Sequence, residues 1–254
     1  MSSTGVIHTE AIVLRAIDYS ETSRIVTLYT KEMGKTGVMA KGARSARSRF
    51  GSTLDPMSRI AAVLHVRAGR DLNILSEASH VRHHSTLRSE LARVESGLRM
   101  VELVNALLPE REANTPIYGL LAASLTALDH ASARTGNVWP FFQLRLATLL
   151  GFGPSFRRDE VQDMQDEFGF LDLRTGRVGT TVEEGWVPLR AYRRTLRAFA
   201  ILARAELSDV LRLELSEPEA EDVQGLVRSY LQHHVEESYP TRSARVFAQF
   251  RHQG

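Results

Sequence analysis

Up to His80 the apolar residues of this chain alternate with polar ones at a period of two; beyond it they recur at steps of three and four. A period of two puts alternate side chains on opposite faces of a strand, whereas steps of three and four lay a stripe along a helix. Pattern alone therefore divides the chain into an N-terminal β region and a C-terminal helical region. With 254 residues, 43% of them hydrophobic, there is enough material for one large domain or two ordinary ones with a buried core.

The β region reads as five short strands. Residues 9–16 alternate with Ile12 and Leu14 on one face, and residues 23–30 set Ile25 and Tyr29 opposite Val26 and Leu28. Gly34 sits where a tight reversal needs positive φ, and it leads into residues 36–43, a strand that Gly42 ends. After a cationic loop and Pro56, residues 57–66 place Ile60, Ala62, Leu64 and Val66 on one side. A Gly69-Arg70-Asp71 turn then feeds residues 72–79. Five strands in about eighty residues suit a small closed or partly open barrel, of which the OB-fold is the commonest five-stranded case. An SH3-like barrel would space its strands in nearly the same way.

In the second region, Leu87, Leu91, Val94, Leu98, Val101 and Leu108 predict one long amphipathic helix over 86–108, closed by Pro109. Thr115-Pro116 offers a cap and a first-turn proline for a second helix carrying Ile117, Leu120, Leu121, Leu125 and Leu128. A third begins near Pro140 and stops at Gly151-Phe152-Gly153-Pro154. Short loops between them imply an antiparallel bundle. Residues 155–187 read as irregular structure with at most one hairpin. Helices are expected to resume at Pro188, with Leu189, Tyr192, Leu196, Phe199 and Ala203 on one stripe. Ser216-Glu217-Pro218-Glu219 makes a capping box for another helix. The expected organisation is an α+β chain: a five-stranded OB-fold barrel over 1–82, then a helical domain over 83–254 with an irregular insertion at about 155–187.

Much chemistry is excluded. The chain has no cysteine, which removes disulfides, thiolate catalysis and cysteine-held metals. It has neither a Walker loop nor a GxGxxG after a strand, and no serine stands in a nucleophile elbow. No apolar run reaches membrane-spanning length and residues 1–5 do not open a signal peptide, so the cytoplasm is expected. His80, His83 and His84 are spaced closely enough to supply metal ligands, but with no partner Cys and no HExxH pattern they read as a surface cluster, as does His233-His234. Asp159, Glu160, Asp163, Asp166 and Glu167 would share a helix face that a magnesium-dependent nuclease could use. Such runs are more often a solvated face.

Charge supplies the positive signal. Residues 1–80 carry eleven Lys or Arg against seven Asp or Glu; the remainder carries twenty-one against twenty-three. Between Glu32 and Asp55 lie Lys35, Lys41, Arg44, Arg47 and Arg49 with no carboxylate, a one-signed patch of the kind that attracts a polyanion. Ser45, Ala46 and Ser48 separate the arginines and let the loop lie close to a phosphate backbone. Lys and Arg follow phosphates by releasing condensed counterions, and exposed aromatics stack on any base. Tyr19, Tyr29 and Phe50 are the candidate stackers, with burial the stronger expectation for each.

These residues also carry a likeness. The runs Thr9-Glu-Ala-Ile-Val-Leu-Arg15, Tyr19-Ser-Glu-Thr-Ser-Arg24-Ile-Val-Thr-Leu-Tyr-Thr30, Gly34-Lys35, Ala40-Lys-Gly-Ala-Arg44-Ser and Arg49-Phe-Gly-Ser-Thr-Leu-Asp-Pro56 resemble, in order and spacing, the N-terminal domain of the RecO family. The likeness continues more weakly through Leu144-Arg-Leu-Ala-Thr-Leu-Leu-Gly-Phe-Gly153-Pro and Tyr239-Pro-Thr-Arg-Ser-Ala-Arg245. It implies an OB-fold followed by a helical domain, in a non-enzymatic protein that binds single- and double-stranded DNA and anneals complementary strands. It further implies work with RecR, and often RecF, in replacing single-strand binding protein (SSB) by RecA, in the cytoplasm at the nucleoid.

The DNA contacts so implied fall on Lys41, Arg44, Arg47 and Arg49, flanked by Arg15, Arg24 and Lys35. Some members capture the acidic, apolar tail of SSB, for which Phe141, Phe142, Leu144 and Arg145 would pair an apolar groove with a cation. Helix-core packing explains those four residues equally well. One departure is plain: many members hold zinc on four cysteines where this chain has residues 156–179 and none, so neither metal nor cofactor is expected. Packing of Phe168, Phe170 and Leu171 is expected to hold that segment instead.

Overall fold

The computed structural model describes residues 4–67, 69, 71–155, 164–235 and 239. Five strands come first: β1 (Thr4–Asp18), β2 (Arg24–Thr30), β3 (Gly34–Ala40), β4 (Arg59–Arg67) and β5 (Leu72–Arg82). They close into a barrel in the order β1-β2-β3-β5-β4, antiparallel except for the pairing of β3 with β5 through Gly37↔Leu72 and Met39↔Ile74. Strand spacing left two barrels open; this parallel closure, reached by a long crossover, is that of the OB-fold. The inward positions Val13, Val26, Leu28, Val38, Ile60, Leu64 and Leu75 form one core; the alternation sets out Val26, Leu28, Ile60 and Leu64 among them, but in β1 Val13 joins this core and Ile12 and Leu14 do not.

β1 is longer than its alternation announced, because it serves two neighbours. Its first half pairs β4 from Thr4↔Arg67 and its second half pairs β2 as far as Asp18↔Arg24, with a bulge between Val13 and Arg15 where the strand bends from one to the other. Gly34 does take positive φ, at 69°, and a Cβ there would lie 2.0 Å from the Glu112 carbonyl oxygen.

Three helices follow: α1 (Ser85–Ser89), α2 (Leu91–Leu107) and α3 (Thr115–His130). The single helix expected over 86–108 is thus two, broken at Glu90 with φ −113° and ψ 119°. Side chains enforce the break: Asp129 accepts the Leu87 N–H at 2.9 Å, while Arg93 reaches the Glu90 carboxylate at 2.6 Å. Leu91, counted as core by its spacing, is left exposed. The barrel and α1–α3 belong to one compact unit, Met1–Asp129. Within it Arg59 donates to Glu10 at 2.6 Å and the Tyr118 hydroxyl to the same oxygen at 3.4 Å. The Arg59 hydrogen bond holds the Glu10 carboxyl below the usual carboxylate range against the opposing effect of burial.

The second compact unit is His130–Tyr239. Helix α4 (Val138–Leu149) is buried along most of its length and packs with α5 (Arg193–Arg204) and α7 (Glu217–Val235), so the bundle forms from these helices. α6 (Leu207–Val210) is a short turn that no pattern announced. Ser216 opens α7 as a capping box, its N–H and hydroxyl both donating to Glu219 at 2.9 and 2.8 Å.

Residues 168–192 correct the sequence reading. They form a three-stranded sheet in the order β7 (Val178–Gly179), β6 (Phe168–Asp172), β8 (Pro188–Tyr192). Pro188 begins a strand and not a helix. Leu189 and Leu196 stand seven apart, which suits a helix, but residues 188–192 pair β6 throughout, from Phe168↔Tyr192 to Asp172↔Pro188. Leu171 is buried as expected, whereas Phe168 and Phe170 stay half-buried.

Candidate nucleic-acid interface

The cationic loop leaves β3 at Ala40 and is built from two consecutive turns. Gly42, at φ 74°, starts the first, and its carbonyl accepts both the N–H and the hydroxyl of Ser45 at 3.2 and 2.8 Å. The Ser48 N–H then reaches the Ser45 carbonyl at 2.9 Å. The Phe50 ring is buried in the barrel core and anchors the loop's far end. Small residues thus absorb the turns, while Lys41, Arg44, Arg47 and Arg49 are all exposed. Lys41 and Arg47 make no ion pair among the described residues, and the Arg49 guanidinium lies 5.4 Å from the Phe50 ring centre.

Arg44 has a different role. Asp18 bridges two cations, Arg24 at 3.0 Å and Arg44 at 3.2 Å. Arg44 also donates its guanidinium to the Ser20 carbonyl and its backbone N–H to the Thr22 carbonyl, the latter at 3.0 Å. The loop is therefore clamped to the β1–β2 hairpin. Sequence reasoning did not single out Asp18, because one carboxylate in a basic region carries no signal until the hairpin brings it opposite Arg24. The clamp sets Tyr19, 60% exposed, in the same hairpin. Tyr29 and Phe50 are buried. The Tyr29 hydroxyl donates to the Asn114 carbonyl at 3.1 Å, and burial pushes its pKa up to about 12. Of the three stackers only Tyr19 is presented to solvent. Arg15, exposed at the β1 bulge, lies across from Thr27 on the outside of the barrel.

The remaining named residues are not gathered here. Lys35 turns inward, its side chain 11% exposed, its ammonium donating to the Asn105 carbonyl at 2.9 Å and pairing Glu110 at 3.5 Å. Lys35→Met is accordingly expected to lower stability by about 1–2 kcal/mol in a urea melt and to leave the salt dependence of nucleic-acid binding unchanged. A reduced salt slope would place this lysine on phosphate after all. Phe141, Phe142 and Leu144 are buried; Arg145 is half-exposed.

His84 is buried against Asp129, whereas His80 meets Ser52 at 3.2 Å and lies with its ring tilted against His83, centres 4.2 Å apart, so the three histidines do not converge. Of the acidic group, Asp166 and Glu167 are exposed, and Asp159, Glu160 and Asp163 lie outside the described residues. Among the described residues no group of three or more His, Cys, Asp or Glu could hold a metal ion, and the chain has no cysteine. No described helix is long and apolar enough to cross a membrane.

Comparison with known proteins agrees with this architecture. The family model described as "Recombination protein O N terminal" matches residues 1–84, and that described as "Recombination protein O C terminal" matches residues 88–243. A relative named DNA repair protein RecO, from Salinibacter ruber, is 43% identical over 249 residues, covering 98% of this chain and 96% of its own. Another of the same name, from Chlorobium limicola, is 26% identical over 96% of this chain and 98% of its own. A third, from Anaeromyxobacter dehalogenans, is 39% identical over about half of each chain. With an OB-fold barrel in front, a helical unit behind and family models over both, the chain belongs to the RecO family of DNA repair proteins.

Proposed function

We propose that this protein binds single- and double-stranded DNA through the barrel, anneals complementary strands and, with RecR, helps load RecA onto SSB-coated DNA, without catalysing a reaction itself. The observation that carries this reading is the turn-fixed loop: Lys41, Arg47 and Arg49 exposed on a loop clamped through Arg44 and Asp18 beside an exposed Tyr19. Cations held by short backbone turns lose little freedom on meeting phosphates, so counterion release goes largely into affinity. Arg15 extends the same basic face, while Arg24 and Arg44 hold its shape. The barrel of residues 1–82 is thus the DNA-binding part, and the remainder serves RecR, RecF and the SSB tail. Such work belongs in the cytoplasm, at the nucleoid.

The test is annealing of two complementary labelled oligonucleotides, bare and SSB-coated, with and without RecR, followed by RecA filament formation on the coated strand. Acceleration of annealing is expected, and RecA loading that requires RecR. Failure on bare strands would overturn the DNA reading. Annealing without RecR-dependent loading would remove the mediator role alone. Cleaved products in magnesium, abolished by Asp163→Ala, would favour the nuclease alternative.

A further inference from the structure

A second one-signed stretch lies in the other unit. Between Glu184 and Glu206 stand Arg190, Arg193, Arg194, Arg197 and Arg204 with no carboxylate, although residues 130–239 as a whole hold more carboxylates than cations. The Arg193 guanidinium is engaged by the carbonyls of Met164 and Gln165, whereas Arg190 and Arg194 are exposed, Arg194 with only a long pairing to Glu219 at 3.9 Å. Both lie on rings. Phe168 of β6 stands across from Tyr192 of β8 with ring centres 4.6 Å apart. The Arg190 guanidinium is 4.1 Å from the Phe168 centre, and that of Arg194 is 4.8 Å from the Tyr192 centre. The four side chains form one stack, Arg190, Phe168, Tyr192, Arg194, with Tyr192 39% exposed.

Beside the stack opens a groove of about 550 Å³ between β8 and α7, bordered by Thr195, Asp222 and Arg228 as well as the two rings. The Thr195 side chain is almost wholly buried in its wall, 2% exposed, and its hydroxyl has no hydrogen-bond partner among the described residues. Buried hydroxyls are ordinarily paired, and a ligand entering the groove would complete this one.

We infer that this face is a second nucleic-acid surface, selective for a single strand. Phosphates meet Arg190 and Arg194; the exposed Arg194 side chain swings off the Tyr192 face that it covers, a base takes its place on that ring, and a base edge enters the groove to meet Thr195 and Asp222. Asp222 distinguishes the ligand class: it accepts from an N–H on a base edge, the ring N3–H of thymine or the exocyclic amine of another base, but repels an acidic peptide. A duplex keeps its bases stacked on one another and offers none to the ring. The inference goes beyond the loop, and combined with the loop reading above it lets one chain hold two strands, as annealing requires.

The experiment uses the full chain with oligothymidylate of about fifteen residues carrying photoreactive iodouracil, a length within the range of one binding surface. Crosslinks are expected at Tyr192 or Phe168 besides the barrel. With Lys41, Arg47 and Arg49 already changed to alanine, Tyr192→Ala is expected to weaken the residual binding at least fivefold, while Tyr192→Phe retains it. Arg190→Gln with Arg194→Gln should lower the salt slope by about 1.4. Crosslinks confined to the barrel, with residual affinity indifferent to these changes, would overturn this inference and leave the loop reading standing. Crosslinks confined to the sheet would do the reverse. A glutamate-rich peptide that binds this face where oligothymidylate does not would make it a peptide site and sink the proposal.

Discussion

Replacing Lys41, Arg47 and Arg49 together by alanine is expected to weaken single-strand binding about fiftyfold at about 0.15 M salt, and to reduce the slope of log K against log salt by about 2. Each phosphate neutralised on a single strand contributes roughly 0.7 to that slope, so three lost contacts give both figures. Fluorescence anisotropy across a salt series measures them. Arg44 is left out of the triple because its guanidinium is spent on Asp18 and Ser20. Changing it is expected to release the loop from the hairpin, weakening binding through disorder and not through one missing charge. The mark of that difference is Asp18→Asn, which adds net positive charge yet is expected to weaken binding by freeing both Arg24 and Arg44. Were the triple variant to keep the parent's salt slope, the loop would not be on phosphate. Were Asp18→Asn to bind more tightly, the clamp would be irrelevant to the interface.

The barrel was legible because its code is local and repeated. One side of each strand faces a single core, so Val26 and Leu28, or Ile60, Ala62 and Leu64, announce that core two residues at a time. The loop was legible too, since five cations without a carboxylate need no tertiary knowledge to be seen. What stayed hidden depended on partners distant in sequence. Lys35 reads as one more loop cation until the Asn105 carbonyl, seventy residues on, accepts its hydrogen bond. Leu91 fits a helical stripe until Arg93 and Asp129 bend the chain ahead of it. Phe141, Phe142 and Leu144 form an apolar stripe next to Arg145, but a stripe cannot say whether it faces a groove or a neighbouring helix. Pro188 shows the same limit, because a five-residue strand paired only to β6 carries too little pattern to outweigh the helical spacing that runs on from it.

Asp172 anchors the segment that follows β6. Its side chain is fully buried at the end of β6, and four donors converge on its carboxylate. Oδ1 accepts the N–H groups of Val187 at 2.8 Å and Arg174 at 3.2 Å; Oδ2 accepts the Thr175 hydroxyl at 2.6 Å and its N–H at 3.2 Å. One group thereby ties the turn after β6 to the chain entering β8. Burial alone would raise the Asp172 pKa, but the hydrogen bonds from Thr175, Val187 and Arg174 outweigh it and bring the pKa below the usual value. A folded pKa lower than the unfolded one means stability that is complete above about pH 4 and is lost as pH falls through the folded value. Asp172→Ala strands three backbone N–H groups and is expected to cost about 3–5 kcal/mol in urea unfolding followed by the fluorescence of Trp186 and Trp139. Asp172→Asn keeps one acceptor oxygen, so it is expected to cost less and to flatten the loss of stability below about pH 4. A chelator should shift neither the parent nor the variant. A parent whose melting midpoint drops on chelation would show that a metal, and not this carboxylate, holds the sheet together.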